Sequence, residues 1–387
     1  MVARDLLRVI YAPHKVFKEI IKNPSYLGPM ILLIIFVLAQ LGSSYVVASK
    51  TVIEQTMPLG DRADEWTANA LDWNSNQGVK ISNNTIDFIP STTQFLDNTS
   101  IEFFASNLDL INLESLRFTP SVNCGAEGFR NVSLRVKLIS PDYAPDSVKL
   151  TLLSLDDSYF ITDITNEFSN NVNIWTNLTL VVNSKNWESI GNNAVWENIT
   201  GLKLDFSWSE NSSVNMLVDG LFFRGIFKGP IELNASSYFA VSLINSITPF
   251  IIEWFLLTAF MYILLKILKS EVIWKPLLIA VGFSLIIIVI QAVILIFIYA
   301  FLPDISYPFE IRAGIPGEFE VANQLILDEI SFVSNIGGVI QIIVYVWIVA
   351  LGIFIVKALT KLDWMKSLLV SGGSLLLTVI VMGLLQI

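Results

Sequence analysis

Nucleophilic and metal chemistry need particular side chains gathered at one point, and this sequence is poor in them. It holds one cysteine, Cys124, and one histidine, His14. Zinc draws several Cys or His ligands together, so a Cys/His centre is excluded, as is an intrachain disulfide. No HExxH, GxSxG or P-loop pattern occurs. Adjacent carboxylates such as Asp156 and Asp157 read as a solvated turn rather than an acid–base pair. The expectation is a protein without catalysis and without a cofactor. One carboxylate stands apart: Glu253 is the only one inside an apolar run, TPFIIEWFLL. An intramembrane charge is costly and therefore a functional suspect, although Glu253 lies within reach of water near the outer end of its run. Gln291, Asn335 and Gln341 are further polar residues in apolar stretches. They could line a transport path, or serve as contacts between helices.

The elements that carry these residues follow from composition. The 387 residues are 53% hydrophobic and 15% charged, against about a quarter charged in a soluble chain. The apolar excess is divided. Residues 50–240 are rich in charge and Asn, while 27–49 and 241–387 are dominated by long apolar runs. A helix needs about 20 apolar residues to cross the hydrocarbon core. Five segments qualify: 27–49, 245–268, 274–302, 332–356 and 367–387. The third is expected to be the longest, with an outer end that tilts or projects.

Lys and Arg in short flanks set orientation. Arg4, Arg8, Lys15, Lys18 and Lys22 precede the first span. Lys266, Lys269 and Lys275 separate the second from the third, and Lys357, Lys361 and Lys366 the fourth from the fifth. These flanks are predicted to be cytoplasmic. The loop with Asp304, Glu310, Glu318, Glu320, Asp328 and Glu329 against Arg312 then lies outside, with residues 50–240 and the C-terminus. His14 and Cys124 fall on opposite sides and form no dyad. The first span reads as an uncleaved signal anchor rather than a cleaved leader. Before it, residues 1–26 form a cytosolic lead-in. Val16, Phe17, Ile20 and Ile21 share one helical face there, suited to lying on the inner leaflet or to packing on the ends of the spans.

Within 50–240, period-two alternation predicts an antiparallel β-sandwich with one wet face per sheet. Val132, Leu134, Val136 and Leu138 oppose Ser133, Arg135 and Lys137. Leu202, Leu204, Phe206 and Trp208 repeat the pattern. Trp66, Trp73, Trp175, Trp187, Trp196 and Trp208 are either core or an aromatic surface that stacks on sugars. N-x-S/T sequons stand at Asn83, Asn98, Asn131, Asn177, Asn198, Asn211 and Asn234. They are candidate glycosylation sites, or simply part of a polar surface. The net charge of −10 argues against nucleic-acid partners.

Two resemblances add to this reading. NMLVDGLFF is similar to the closing strand of galactose-binding-type jelly rolls, which makes Asp219 a candidate calcium ligand. Outside the insertion, YAPHKVFKEIIKNPSYLGPMILLIIFVL, EWFLLTAFMYILLKILK, VGFSL and VYVWIVALGIFIVKALTKLDWMKSLLV resemble the Yip domain family, five-span proteins named for interacting with Ypt/Rab GTPases. The DLYGP-type cytosolic motif of eukaryotic members is absent, and the outer insertion is an addition. The resemblance implies a prokaryotic, archaeal relative, a trafficking-related scaffold role and no catalysis. Expected partners are the bilayer, a protein and a surface glycan bound by the outer domain. The competing reading is a permease subunit whose in-span polar residues line a path.

Overall fold

The computed structural model describes residues 2–58, 62–115, 118–168 and 172–385. They form two compact units. The membrane unit comprises Met1–Thr51, Gly229–Ile305 and Leu327–Ile387; the β unit comprises Val52–Lys228 and Ser306–Ile326.

The membrane unit begins with α1 (Val2–Tyr11) and α2 (Pro13–Lys22). Arg8 clamps them by donating two hydrogen bonds to the Glu19 carboxylate, at 2.6 and 2.8 Å. Val16 and Phe17 are fully buried and Ile20 nearly so, in the same apolar cluster as the spans. The apolar face of the lead-in is thus spent on the bundle, the second of the two covers the sequence allows. Then come α3 (Leu27–Ser49), α4 (Pro230–Ile267), α5 (Trp274–Ser284) and α6 (Ile286–Tyr299). After α7 (Phe309–Ala313), which belongs to the β unit, follow α8 (Glu318–Leu359), whose residues from Leu327 onward lie in the membrane unit, and α9 (Trp364–Leu384). Five helical segments are long and apolar enough to cross a membrane: Leu27–Ser49, Pro230–Ile267, Trp274–Tyr299, Glu318–Leu359 and Trp364–Leu384.

The third segment is not the longest, contrary to expectation. It has 26 residues and breaks at Leu285 between α5 and α6, whereas α4 has 38 and α8 has 42. At about 1.5 Å per residue both exceed a hydrocarbon core of about 30 Å, so their polar first turns extend past it. The expected last span, 367–387, ends in residues 386–387, which lie outside the described residues. Close packing fixes the bundle. A Cβ at Gly28 would meet the Phe283 ring at 2.0 Å. The buried Trp254 indole donates to the Leu278 carbonyl at 2.8 Å.

The β unit is an antiparallel sandwich built around one strand. Its elements are β1 (Thr51–Met57), β2 (Trp73–Ser75), β3 (Val79–Asn84), β4 (Ser100–Ser115), β5 (Asn131–Ser140), β6 (Ser147–Leu153), β7 (Tyr159–Asp163), β8 (Thr176–Val181), β9 (Glu188–Ile190), β10 (Gly201–Lys228) and β11 (Ile305–Tyr307). Along one edge β10 pairs β4 and then β1. Along the other it pairs β6 over Gly201–Ser207 and β5 over Asn215–Arg224. The register of β10 with β4 shifts between Ser207 and Ser212, opposite Leu110 and Leu108. There the paired strands turn from one layer into the other. Asn107 of β4 takes φ +67° at this corner, a conformation Asn tolerates better than branched residues.

The predicted inward faces are buried. Val132, Leu134, Val136 and Leu138 are at most 2% exposed, and Leu202, Leu204 and Phe206 are fully buried. The opposite face of β5 departs from expectation. Ser133 is 2% and Arg135 5% exposed instead of wet. The cause is residues 306–326, which belong to the β unit and cover that face.

Candidate functional site

Residues 306–326 dock through an apolar patch and two ion-pair clusters. Phe309 stacks on Phe222 with ring centroids 4.1 Å apart. Ala63, Ile89, Phe95, Leu96, Ala313 and Ile315 complete the patch. Gly314 sits at φ +61°, and a Cβ there would lie 2.5 Å from the Thr92 hydroxyl. Its carbonyl accepts from the Thr92 amide at 2.9 Å. Arg312 lies over the Phe95 ring, 4.2 Å from the centroid, and burial lowers its pKa.

The charged clasp centres on Glu54, which is 3% exposed. Its carboxylate accepts from the Phe309 amide at 2.7 Å and pairs with Arg224 at 3.5 Å. Arg224 also pairs with Glu310 at 2.8 Å. Burial raises the Glu54 pKa, and Arg224 opposes the rise. Farther along β5, Arg135 reaches both oxygens of Glu318 at 2.7 Å.

Asp219 ends the straight part of β10 at 2% exposure. Its oxygens accept from the Ile89 amide at 2.8 Å and the Gly220 amide at 2.6 Å. Burial pushes its pKa up to about 7, with the charges of Asp64 and Asp97 adding to the rise. Arg62 pairs with Asp64 at 3.3 Å and with Asp97 at 2.7 Å. Among the described residues no group of three or more His, Cys, Asp or Glu is placed to hold a metal ion. Asp219, the candidate calcium ligand, thus ties the Ile89 loop to β10.

An open cleft of about 470 Å³ lies elsewhere on the β unit. Glu65, Asp72, Asn74 and Thr119 are exposed along it, with Trp66 and Ser115 at its floor. Trp66 is held by stacking on Phe118 at 4.0 Å. The tryptophans do not form a sugar platform. Trp66, Trp73, Trp187 and Trp208 are buried. Trp196 stacks on Phe160 at 3.7 Å, and Trp175 donates to Asp87 at 3.0 Å.

Of the sequon residues, Asn83, Asn98, Asn177, Asn211 and Asn234 are exposed, while Asn131 and Asn198 are half-buried. The amide of Asn83 is occupied: it accepts from the Ala70 N–H and donates to the Ala68 carbonyl. Asn234, at a non-helical φ of −162° inside α4, accepts from the Ser237 N–H and caps the helix that follows. Cys124 is buried in the sandwich core, where desolvation pushes its thiol up to about 12, far from a reactive state.

In the membrane unit, Gln291 donates to Gln341 across α6 and α8 at 2.6 Å. Glu253 is half-buried and Asn335 exposed. The amide pair extends through Tyr345, which hydrogen-bonds with Gln341 and lies within electrostatic reach of Glu253, so three of the four polar candidates stand near one another. What the sequence did not reveal is the docking of 306–326. Its signal was the apolar set Phe309, Ile311, Ala313 and Ile315 within an acidic loop.

The Yip1 domain family model matches residues 207–385. No curated protein matches the chain. Among solved structures, the family 11 carbohydrate-binding module from Clostridium thermocellum in complex with a β-1,3-1,4-mixed-linked tetrasaccharide is 13% identical. The match covers 44% of this chain and 94% of that one, at TM-score 0.28. The xylan-binding domain from CBM 22 is 9% identical, covering 42% and 92%, at TM-score 0.26. An exo-β-agarase is 8% identical, covering 43% and 24%, at TM-score 0.31.

Proposed function

From a multi-pass membrane protein whose residues 207–385 match the Yip1 domain, we propose a non-enzymatic membrane scaffold that presents its β unit outside the cytoplasm to bind a surface glycan. The observation that carries this reading is the open cleft at Glu65, Asp72, Asn74, Ser115 and Thr119. Carboxylates, an amide and hydroxyls offer acceptors and donors matched to sugar hydroxyls, while the exposed Leu71 gives apolar contact. Catalysis has no support, since the one thiol is buried and protonated. The basic flanks support a cytoplasmic N-terminus. Residues 306–326 and 52–228 share one compact unit, which agrees with both loops lying on one side of the membrane, as an even number of intervening spans requires. The alternative is a permease subunit: Gln291 and Gln341 pair with each other and Tyr345 links Gln341 toward Glu253, an arrangement that also serves as a contact between helices. Sequon use on the exposed Asn98, Asn177 and Asn211 belongs to the same outer placement.

The test is a glycan array probed with the full chain in detergent, comparing wild type with Asp72→Ala/Asn74→Ala. Both residues are exposed, so the fold should survive. Selective binding lost in the variant is expected. Binding to no glycan, or binding that the variant retains, overturns the cleft as the site.

A further inference from the structure

A second concavity, of about 530 Å³, lies within the membrane unit between α3 and α4. Its wall on α3 is Phe36, Gln40 and Ser44, spaced four apart on one face. Its wall on α4 includes Tyr238, Ser242, Asn245, Ser246 and Pro249. Two contacts fix the register of these helices. Ser44 and Ser242 hydroxyls meet at 2.5 Å, and the Phe36 and Phe250 rings lie 5.0 Å apart. The numbers in both pairs add to the same value, as antiparallel helices require, which sets Gln40 level with Asn245 and Ser246. The groove thus has a hydroxyl-rich end at Ser44, Ser237, Tyr238 and Ser242, a belt of carboxamides, and an apolar end at Phe36 and Pro249.

Three features define what fits. First, the hydroxyls are already oriented. Tyr238 donates to the Ser44 carbonyl at 3.0 Å, and Ser246 to the Ser242 carbonyl at 2.7 Å. The carboxamides of Gln40 and Asn245 are not spent on any protein partner among the described residues. Gln40 stands nine residues before the end of α3, about 14 Å by helical rise, and level with the expected start of the second span at 245. A polar group there is costly unless a partner is supplied. Second, no charged side chain lines the groove. A phosphate headgroup would call for Lys or Arg. Third, exposed apolar side chains flank the opening, with Tyr45 at 58%, Val241 at 53% and Ile244 at 62% exposure. Such apolar flanks suit entry from the hydrocarbon side.

We propose that this groove binds a membrane lipid with an uncharged, hydroxyl-rich headgroup, its sugar or glycerol hydroxyls on Gln40 and Asn245 and its chain passing Phe36 and Pro249. This site is separate from the cleft on the β unit and stands or falls independently of it.

The test uses the full chain reconstituted in phosphatidylcholine nanodiscs doped with equal amounts of digalactosyl diacylglycerol and phosphatidylglycerol. Bound lipid is read by native mass spectrometry. Wild type should retain the galactolipid in preference to both phospholipids. Gln40→Leu/Asn245→Leu should lose about tenfold in retention, the loss of two hydrogen bonds of about 0.7 kcal/mol each. Asn245 is exposed, so Asn245→Leu alone keeps the fold and should show a smaller loss in the same direction. Equal or preferential retention of phosphatidylglycerol overturns the uncharged headgroup. Galactolipid retention unchanged in Asn245→Leu and in the double variant overturns the site.

Discussion

The β unit buries charged side chains among its hydroxyls, namely Glu54, Asp64, Arg135 and Asp219, and the first three are held in ion pairs; the buried polar side chains of the membrane unit are hydroxyls and the amide of Gln291. Arg224 holds Glu54 and Glu310, Arg135 holds Glu318, and Arg62 holds Asp64 and Asp97. Between the spans the corresponding contacts are Gln291 with Gln341, Ser44 with Ser242, and Ser371 with the Val349 carbonyl. The difference follows from the two solvents. In the pairs of Glu54, Asp64 and Arg135 one partner is buried and the other keeps part of its hydration. The desolvation cost, large enough to raise the pKa of Glu54 and Asp64, is partly offset by charge and hydrogen bonds. In hydrocarbon that cost is prohibitive, and neutral groups do the same joining work for less. Glu253 is the exception in the spans, half-buried and without a basic partner among the described ion pairs.

The comparison breaks most visibly where the β unit depends on apolar contact instead of charge. Phe309 is 1% exposed and stacked on Phe222. Phe309→Ala should cost about 3 to 5 kcal/mol of docking and free residues 306–326. Limited trypsin digestion of the full chain should then cut at Arg312, a bond that wild type protects. Protection equal to wild type would mean that the ion pairs alone hold the segment. The same dependence bears on isolating the domain. A fragment confined to 50–240 lacks Phe309, Ala313 and Ile315 and would expose Phe222, so a soluble version should carry residues 306–326 on a linker.

Legibility in the sequence divides along the same line. β5 and β10 could be read because alternation is local: each inward residue announces itself two positions from the next. The cover on Arg135 could not, because its partner Glu318 lies 183 residues away and nothing near Arg135 marks it as buried. On α2 the buried face was readable, but not what covers it, since a leaflet and a helix bundle ask for the same apolar stripe. The break at Leu285 was marked only by Gly282 and Ser284 just before it, a weak signal inside a long apolar run. The length of α8 was hidden because its first turns are acidic and were counted as loop. As for the candidate sites, Glu253, Gln291 and Gln341 stood out as polar residues in apolar runs. The groove at Gln40 and Asn245 did not, because it exists only once α3 and α4 are set in register.

A medium-sized effect concerns pH. The ordinary aspartate value is 3.8 and that of Asp219 in the fold is about 7. The folded chain therefore holds a proton between these values that the unfolded chain releases. This contribution to stability is fully present below pH 4 and is lost as pH rises through 7. Asp64 and Glu54 are raised by burial too and act with the same sign. The β unit should melt at a higher temperature at pH 5 than at pH 8. The buried Cys124 reports this unit specifically: maleimide labelling on heating, scaled to the denatured chain at each pH, gives its midpoint. Asp219→Asn should shrink the difference between the two pH values. A higher midpoint at pH 8 in wild type would show that the charged form of the acid cluster is the better accommodated one.

The smallest effect sharpens the comparison on the membrane side. If the Gln291–Gln341 pair is only a contact between helices, replacing either residue by Leu should cost about 0.6 kcal/mol, and at most about 1.7. The unpaired amide left behind can still find a backbone carbonyl. In a double-mutant cycle the second replacement should then cost less than the first, because its partner is already gone. Ion pairs of the β unit should behave differently: removing Arg224 strands Glu54 as a buried charge, which a second substitution, Glu54→Gln, should relieve by more than any amide cycle can. The measurement is unfolding in mild detergent for wild type, both single variants and the double variant of each pair. Strictly additive losses at Gln291 and Gln341 would mean that the two amides act separately. Each would then face a partner other than the one at 2.6 Å, which is the behaviour a polar path through the bundle would require.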